Sequence, residues 1–397
     1  NDAFDPLLWC GHQRQWPQFY WQQRSGDEEL AALGAVKTFA SLTLAHAFLR
    51  QQGRDDLRIC GLNAFHPQRG LLLLPRLEWR RLGGSATLRL VLSSETSLCD
   101  DARAAREFLD SLVAKQAQPT AVPSLLSEQH FPAYPQWRGL ITQATQAIAA
   151  GEMDKVVLAR ATDLHFAAPL NAGSIMAASR RSNLNCFHFL MAFNPREAFV
   201  GSTPERLWRR RGALLRTEAL AGTVAGHADD RQAQRLGNWL MGDDKNQREN
   251  MLVVEDICQR MQGETRALEV LPTQIVRLRK VQHLRRCIWA ELDNPDDARC
   301  LHLLQPTAAV AGLPRQVALD FIARHELFTR GWYAGSAGYL SLAQSEFCVS
   351  LRSAKVENHT LRLYAGAGIV SGSDPEQEWQ EIENKAAGLR SLLLTET

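Results

Sequence analysis

The 397-residue chain has few of the features that mark secreted, membrane-bound or nucleic-acid-binding proteins. Its eight cysteines are scattered without a Cys-x-x-Cys pair, which argues against a disulfide framework and a zinc site. The 45 basic residues nearly balance the 43 acidic ones, so we expect no nucleic-acid partner. No uncharged apolar stretch reaches the roughly 18 residues of a membrane span. NDAFDPLLWC lacks the charged start and apolar core of a signal peptide. These absences predict a cytoplasmic protein with no membrane partner.

Phosphate-binding glycine motifs are also absent. The sequence contains neither G-x-G-x-x-G nor G-x-x-x-x-G-K-[ST], and the nearest glycine cluster, GAGIVSG at 366–372, does not open directly into a helix. Predicted strands instead come in antiparallel-looking pairs, with helices between the pairs rather than after every strand. This order favours an α+β protein with large antiparallel sheets over a doubly wound nucleotide-binding fold.

Hydrophobic periodicity, together with glycine and proline punctuation, predicts where the elements lie. Helices are predicted near residues 36–51, 101–115, 137–150, 244–262 and 374–393. Strands are predicted from residue 155 onward and near 185–193, 197–201, 206–210, 213–219, 333–341, 346–354 and 360–365. Segment 115–136, which has four prolines, is predicted to be a linker. Arg209–Arg211, followed by Gly212, predicts a solvated hairpin tip.

A lysine begins the strand predicted from residue 155. In MDKVVLAR, at 153–160, Lys155 directly precedes the apolar run Val156–Ala159, whose β-branched start indicates a strand covered on both faces. The helix before it ends at Gly151, a residue type common just after a helix. A lysine at the edge of a buried strand is costly unless it stays hydrated or has a function. Lys155 is therefore a candidate catalytic residue.

Two predicted helices carry carboxylates that would suit a magnesium ion. Glu378, Glu381 and Lys385 share one face of the terminal helix, and Glu249 lies beside the apolar row of helix 244–262. Magnesium takes one or two protein carboxylates and keeps several waters. The spacing fits equally well an ordinary Glu381–Lys385 pair and a solvated Glu249. Sequence alone does not show that the two helices meet.

Three further segments contain candidate catalytic or binding groups. Glu205 in FVGSTPERLW is either a capping acid in a turn or a general acid kept protonated by burial. Gly222 and Thr223 follow an apolar run, where a backbone amide and a hydroxyl could hold a carboxylate. Arg352, predicted inside a largely apolar strand, needs an anionic partner, which is either an internal Asp or Glu or a bound ligand.

Eight stretches together resemble the chorismate-utilising enzymes, and most closely the isochorismate synthases of menaquinone biosynthesis. They occur in the family's order over about residues 135–395, and the N-terminal third matches more loosely through CGLNAF and LPRLEW. Eight ordered blocks are a far more specific signal than any single motif. The stretches are GEMDKVVLARAT, FVGSTPERLWRR, RTEALAGTVAG, NQRENMLVVEDI, LLQPTAAVAGLPR, RGWYAGSAGYLS, FCVSLRSA and LYAGAGIVSGSDPEQEWQEIENK.

The resemblance implies one large α+β domain over residues 1–397, in which two antiparallel sheets pack face to face with helices outside. Residues 1–125 would form the N-terminal part of these sheets, residues 135–395 the motif-bearing part, and segment 115–136 an internal connection. It also implies a magnesium-dependent isomerase that adds water to one ring carbon of chorismate while hydroxide leaves another, giving isochorismate. We expect no glutamine amidotransferase partner, because the ammonia-using relatives that need one lack a lysine at position 155.

The resemblance also assigns a role to each candidate residue. Lys155 matches the general base that activates water, and Glu205 matches the general acid that protonates the departing hydroxyl. As a base, Lys155 must be partly neutral near pH 7, so its pKa would have to fall by several units from about 10.4. The matching magnesium ligands are Glu249 and Glu381, with Glu378 nearby. The matching substrate-binding residues are Gly222, Thr223, Tyr333, Leu351, Arg352, Gly366, Gly368 and Lys385.

Two other functions stay open from the sequence. A salicylate synthase would keep Lys155 and would go on to eliminate pyruvate from isochorismate. Gln305 stands here in LQPTA where many members have the histidine of LHPTP, and glutamine can hydrogen-bond but cannot titrate. That difference slightly favours the synthase. A chorismate-binding protein without turnover could dispense with Lys155 and Glu205, and both are present.

Overall fold

The structure is a computed structural model that describes residues 3–394. None of the helices in this range is long and apolar enough to cross a membrane. The helices are α1 (Pro6–His12), α2 (Leu42–Gln52), α3 (Leu98–Asp110), α4 (Tyr134–Ala149), α5 (Ala172–Ser182), α6 (Asp230–Gly242), α7 (Asp244–Met261), α8 (Asp297–Leu304), α9 (Arg315–His325) and α10 (Pro375–Leu393). The strands are β1 (Gln18–Gln22), β2 (Glu28–Phe39), β3 (Ile59–Asn63), β4 (Gly70–Leu82), β5 (Ser85–Leu90), β6 (Leu125–Phe131), β7 (Lys155–Phe166), β8 (Phe187–Ala192), β9 (Glu197–Thr203), β10 (Arg206–Arg211), β11 (Leu214–Ala225), β12 (Thr265–Val270), β13 (Gln274–Arg277), β14 (Val281–Leu292), β15 (Gly312–Leu313), β16 (Ser336–Leu340), β17 (Gln344–Val349), β18 (Ser353–Glu357) and β19 (Thr360–Ile369).

The strands pair antiparallel and form two halves that face each other. One half runs β14–β11–β10–β17–β16–β3, and the other runs β2–β1–β8–β9–β18–β19–β7. β4 pairs with both β3 and β2 and so joins the halves into one hydrogen-bonded network. Across the interior, the indole of Trp21 in β1 donates to the Ala337 carbonyl in β16 at 3.1 Å. The predicted α+β fold with packed antiparallel sheets is confirmed, with β4 as a link between them.

The chain crosses between the two halves at two adjacent points. β9 leads through Glu205 into β10, and β17 leads through residues 350–352 into β18. The crossings are bonded to each other. The Val349 amide donates to the Glu205 carbonyl at 3.0 Å, and the Ser202 amide donates to the Arg352 carbonyl at 3.1 Å. Two predicted site residues, Glu205 and Arg352, are thereby brought to the same place.

Three predicted boundaries are wrong for local reasons. The helix predicted over 36–51 begins at Leu42, because Ser41 caps it and the residues up to Phe39 continue β2. The predicted linker 115–136 contains β6, a proline-free stretch that pairs with β7. The strand predicted over 346–354 is broken at residues 350–352, where Arg352 has a φ of +46°. Arg352 therefore lies in a connection rather than inside a strand.

The basic hairpin is only partly as predicted. The turn at Gly212 is present, with a φ of +57°, but Arg210 is 1% exposed rather than solvated. Its guanidinium binds both oxygens of Asp297 at 2.9 Å. The reason is strand alternation, which turns the middle residue of three consecutive arginines to the face opposite its neighbours.

Candidate active site

A cavity lies where the two crossings meet β7, β11, β19 and helices α7 and α10. All the predicted substrate-binding residues line it, and so do Glu205 and Glu249. Lys155, Glu378 and Glu381 lie next to this lining through their ion pairs and charges. The structure therefore brings the predicted site residues together. Sequence reasoning missed the other lining residues, which are Val157, Leu220, Ala221, His283, Ala309, Val310 and Ala365.

Lys155 is the first residue of β7 and is fully buried, which removes the alternative that it stays hydrated. Its ammonium nitrogen lies 3.1 Å from Oε1 of Glu249 and has no partner with hydrogen-bonding geometry among the described residues. A Cβ on Gly368 would lie 2.1 Å from that same carboxylate oxygen, so a glycine is needed beside the pair. An ion pair favours charged lysine. A base must be neutral, so a neutral Lys155 stays a prediction. A neutral Lys155 would also mean that Glu249 has another positively charged partner.

The two acidic helices do meet at this end of the cavity. Glu249 is 7% exposed, so its interpretation as a solvated flank is wrong. The expected Glu381–Lys385 pair is also present, and Lys385 donates to the Gly366 carbonyl at 2.8 Å. Each of the three carboxylates is matched by one lysine. The pairs are Glu249 with Lys155 at 3.1 Å, Glu378 with Lys245 at 2.9 Å and Glu381 with Lys385 at 2.7 Å.

The three carboxylates have the donor chemistry of a divalent-cation site. Burial, followed by the charge of Glu381, raises the pKa of Glu378 to about 8, and Glu249 adds to the effect. One oxygen of Glu378, Oε2, is buried without a hydrogen-bond partner in the described chain. No ready-made cluster of three or more metal-ligating side chains occurs between residues 3 and 394. Magnesium needs fewer, because one or two carboxylates and waters suffice. The residues present fit such an ion.

Glu205 occupies the first crossing and is 2% exposed. Burial, followed by the negative charge of Glu218, raises the pKa of Glu205 to about 8, although Arg352, Lys155 and Lys385 oppose this shift. A strand rather than a helix follows it, so the alternative of a capping acid is wrong. Glu205 is therefore mostly protonated at neutral pH and can donate a proton into the cavity.

A β-bulge brings Gly222 and Thr223 to the cavity wall. The pairing of β11 with β14 shifts between Leu220 and Thr223, and Gly222 has a φ of +93°. The Thr223 amide donates to Oδ1 of Asn246 at 3.0 Å, and the Asn250 side-chain amide donates to backbone carbonyls of both strands. Sequence reasoning missed these asparagines. Their i,i+4 spacing on one face of α7 was the available signal.

Arg352 occupies the second crossing and forms no salt bridge within the described residues. Nη2 of Arg352 lies 2.7 Å from Nε2 of His283, while its buried Nη1 has no hydrogen-bond partner in the described chain. The alternative of an internal ion pair is therefore wrong, and the alternative of an anionic ligand remains. Close by, Tyr333 stacks on Tyr364 with ring centroids 5.0 Å apart.

The family model described as "Chorismate binding enzyme" matches residues 62–394. The chain belongs to the chorismate-binding enzyme family. Isochorismate synthase MenF of Escherichia coli is 68% identical over 397 residues, which cover 100% of this chain and 92% of the relative. Isochorismate synthase MenF of Haemophilus influenzae is 41% identical over 402 residues, which cover 100% of this chain and 90% of the relative.

Two solved structures share the fold of this chain. The structure of Escherichia coli MenF, described as the menaquinone-specific isochorismate synthase, superposes with a TM-score of 0.96 and covers 99% of this chain and 92% of that one. Anthranilate synthase component I from Streptococcus pneumoniae superposes with a TM-score of 0.73 at 19% identity and covers 95% of this chain and 91% of that one. The second likeness shows a shared fold alone.

Gln305 stands where many chorismate-binding enzymes have a histidine, but it does not line the cavity. Its amide nitrogen donates to the Ala64 carbonyl, and its oxygen accepts from the Ser336 hydroxyl, both at 2.6 Å. Gln305 is buried and connects the segment after β3 to the start of β16. It therefore has a structural role in this fold.

Proposed function

We propose that this protein is an isochorismate synthase, an isomerase that converts chorismate reversibly to isochorismate for menaquinone biosynthesis. One observation carries the proposal: a single cavity is bordered by a buried lysine, a buried glutamate whose pKa is raised to about 8, and an arginine without an acidic partner among the described residues. The similarity to two MenF proteins over the whole chain supports the same function. Turnover requires both Lys155 and Glu205, which a mere chorismate binder would not need.

The charges of the cavity suit the two carboxylates of chorismate. At one end, Arg352 and the Tyr333 hydroxyl would bind the enolpyruvyl carboxylate, helped by backbone groups of Leu351, Gly366 and Gly368. Bidentate contact with a carboxylate needs two guanidinium nitrogens, and Nη1 of Arg352 is without a partner in the described structure. The Gly222–Thr223 bulge and Lys385 would complete the pocket around the ring.

The ring carboxylate would lie at the other end, near α7 and α10. Glu249 and Glu381, with Glu378 beside them, would hold a magnesium ion there. In the structure, Glu249 is paired with Lys155. When bound, the magnesium ion would provide a positive charge for both the ring carboxylate and Glu249. Lys155 would then be freed from its ion pair and could more readily exist in the neutral form.

The protein groups would move two protons during the exchange of oxygens. Lys155 would take a proton from water as the water oxygen bonds to one ring carbon. Glu205 would give its proton to the hydroxyl on the other ring carbon, so that the broken C–O bond releases water rather than hydroxide. Solvent exchange would return Lys155 and Glu205 to their starting forms. One water enters and one water leaves, so the net reaction is an isomerisation.

We also propose that the enzyme is cytoplasmic and uses water without an amidotransferase partner. The cysteines of the described chain are all free thiols, in keeping with a reducing compartment. Water needs a base to act as a nucleophile, and Lys155 would supply it. Ammonia does not need such a base.

A product assay tests the proposed function. Purified protein is incubated with chorismate and Mg²⁺, and the products are resolved by chromatography. We expect isochorismate in equilibrium with chorismate from the wild type, and loss of turnover by about 100-fold or more in Lys155→Ala and in Glu205→Gln. Lys355→Ala, a partly exposed lysine of β18, is the matched control and should retain full activity. Salicylate with pyruvate would assign the protein to the lyases. Bound chorismate without product would make it a binding protein.

A further inference from the structure

We propose that His283 is a positioning residue for Arg352, a neutral hydrogen-bond acceptor that orients the guanidinium and leaves its positive charge uncompensated. The inference rests on the proposed function, in which Arg352 binds a substrate carboxylate. His283 belongs to β14 and is 3% exposed. It lines the same cavity, and its imidazole contacts the guanidinium of Arg352.

The contacts of His283 determine its tautomer. Nε2 lies 2.7 Å from Nη2 of Arg352, and a guanidinium can only donate hydrogen bonds. Nε2 must therefore be the acceptor, which places the imidazole proton on Nδ1. Nδ1 lies 3.0 Å from the Thr223 hydroxyl oxygen and 3.3 Å from the Gly222 carbonyl oxygen, both of which can accept that proton. A doubly protonated ring would direct an N–H at a cation.

The surrounding charges favour the same neutral form. Burial, followed by the charges of Arg352 and Lys385, lowers the pKa of His283 well below its ordinary value, and the hydrogen bond to Gly222 opposes this only in part. The groups whose negative charges would raise the pKa of Arg352 are Cys186, Tyr333, Glu205 and Glu381, although burial lowers it more. Glu205 itself holds a proton, so it does not supply a fixed negative charge. Arg352 is therefore held in place without being neutralised.

The bulge of β11 is what aligns this arrangement. Thr223 is the register partner of His283, whereas Leu220 is the partner of Arg285, so one strand contains one more residue than the other between the two pairs. An extra residue in one strand turns the following side chains to the opposite face. The bulge thus places the Thr223 hydroxyl against His283, and His283 against Arg352. The predicted Gly222–Thr223 pocket and the carboxylate anchor form one connected unit.

Three substitutions at one position test the proposal through the KM for chorismate. His283→Gln keeps a neutral acceptor and should raise KM less than about 5-fold. His283→Ala removes the acceptor and should raise KM about 10- to 100-fold, with kcat changed far less. His283→Glu places a carboxylate on Arg352 and should raise KM beyond the alanine variant, because the substrate then competes with an internal anion. If His283 had a structural role alone, the KM values of the three variants would instead follow the order of their thermal stabilities.

His188→Gln is the matched control. His188 is also a buried histidine, and its Nδ1 bonds the Ser202 hydroxyl at 2.7 Å outside the cavity. Its substitution should change the melting temperature about as much as His283→Gln and leave the KM unchanged. Equal KM values for wild type, His283→Ala and His283→Glu would overturn the proposal. Absence of isochorismate from the wild type in the same assay would instead refute the proposed function.

An NMR measurement, which does not depend on turnover, tests the protonation state and tautomer of His283 independently. In ¹⁵N NMR of the free enzyme at pH 7, assigned by comparison with His283→Gln, we expect the signals of a neutral ring protonated at Nδ1. Removal of the donor in Arg352→Met should shift the Nε2 signal. An imidazolium, or a ring protonated at Nε2, would overturn the assignment whatever the enzyme's substrate is.

Discussion

The two ends of the cavity differ in whether their charged side chains have counterions. At the end built by α7 and α10, three carboxylates each meet a lysine within 3.1 Å. At the other end, Arg352 has no acidic partner in the described chain and is held by neutral His283. Under the proposed function, the first end would exchange its internal counterions for a metal ion, whereas the second end has a positive charge available for an anion. This difference fits a dianionic substrate that is bound partly through a cation.

The contrast also has an energetic meaning. A buried charge costs several kcal/mol to desolvate unless it is paired, and paired charges recover much of that cost. At the α7 and α10 end, the carboxylates are paired with lysines even without a ligand. Their burial therefore does not leave an unpaired charge that would destabilise the folded protein. The arginine end keeps a desolvated cation whose missing partner is the substrate. Under the proposed function, Arg352 would contribute mainly to substrate binding, and Lys155 with Glu249 would contribute mainly to catalysis.

The largest expected effect comes from breaking the carboxylate end. Glu249→Gln removes the charge that meets Lys155 and would hold the metal ion, so we expect kcat to fall at least about 100-fold and the Mg²⁺ concentration for half-maximal activity to rise. Steady-state kinetics over a Mg²⁺ series measure both. Glu255→Gln, an exposed residue on the same helix, is the control and should match the wild type. A Glu249→Gln enzyme with normal Mg²⁺ dependence would remove Glu249 from the metal site.

A smaller effect is expected at the arginine end. Arg352→Lys keeps the positive charge but loses the planar fork and the contact with His283, so the KM for chorismate should rise about 10- to 100-fold while kcat falls less. The same kinetic series with Arg362→Lys, which breaks a partly exposed pair with Asp163, provides the control. If kcat fell and KM stayed the same, Arg352 would act in the chemical step and the two ends would no longer differ in role.

Sequence reasoning predicted the two ends with different success. Glu249, Glu378, Glu381 and Lys385 lie on regular helices, where the spacing of residues defines a shared face. That pattern suggested the carboxylate end before any contact was known. The pattern gave Lys385 as the counterion of Glu381 but not the counterions of Glu249 and Glu378, because Lys155 and Lys245 meet these glutamates only in the tertiary structure.

The arginine end depends on irregular backbone, and there the local structure was predicted wrongly. Arg352 was predicted inside a strand, yet it lies at a chain crossing with a positive φ. His283 lies on β14 without any local motif, and it reaches the cavity through the bulge at Gly222. Crossings and bulges depend on pairing between distant strands, so local periodicity carries little information about them. The family resemblance identified Arg352 and Gly222 but offered nothing on His283.

Between the two ends, Glu205 makes the activity pH-dependent. Its pKa of about 8 means that it loses the proton it must donate as the pH rises past that value. With Lys155 neutral near pH 7, as predicted, kcat/KM should fall about tenfold per unit above pH 8. A pH profile of kcat/KM with Mg²⁺ held saturating measures this. A profile that still rises through pH 9 would show that turnover does not need the Glu205 proton, and the proposed role of Glu205 as the general acid would be wrong.

A last expected effect is on stability and has the opposite sign from the effect on turnover. Because burial raises the pKa of Glu205 to about 8 from an ordinary value near 4.5, the folded protein binds a proton that the unfolded chain has released between these values. Wild-type stability therefore falls as pH rises through this window, whereas Glu205→Gln, which cannot ionise, escapes that loss. We expect the variant to be more stable than the wild type by a few kcal/mol at pH 9 and nearly equal at pH 5. Urea unfolding at both pH values measures the difference. Equal stability at pH 9 would mean that Glu205 ionises freely in the folded protein, and it would then be no better a proton donor than a surface carboxylate.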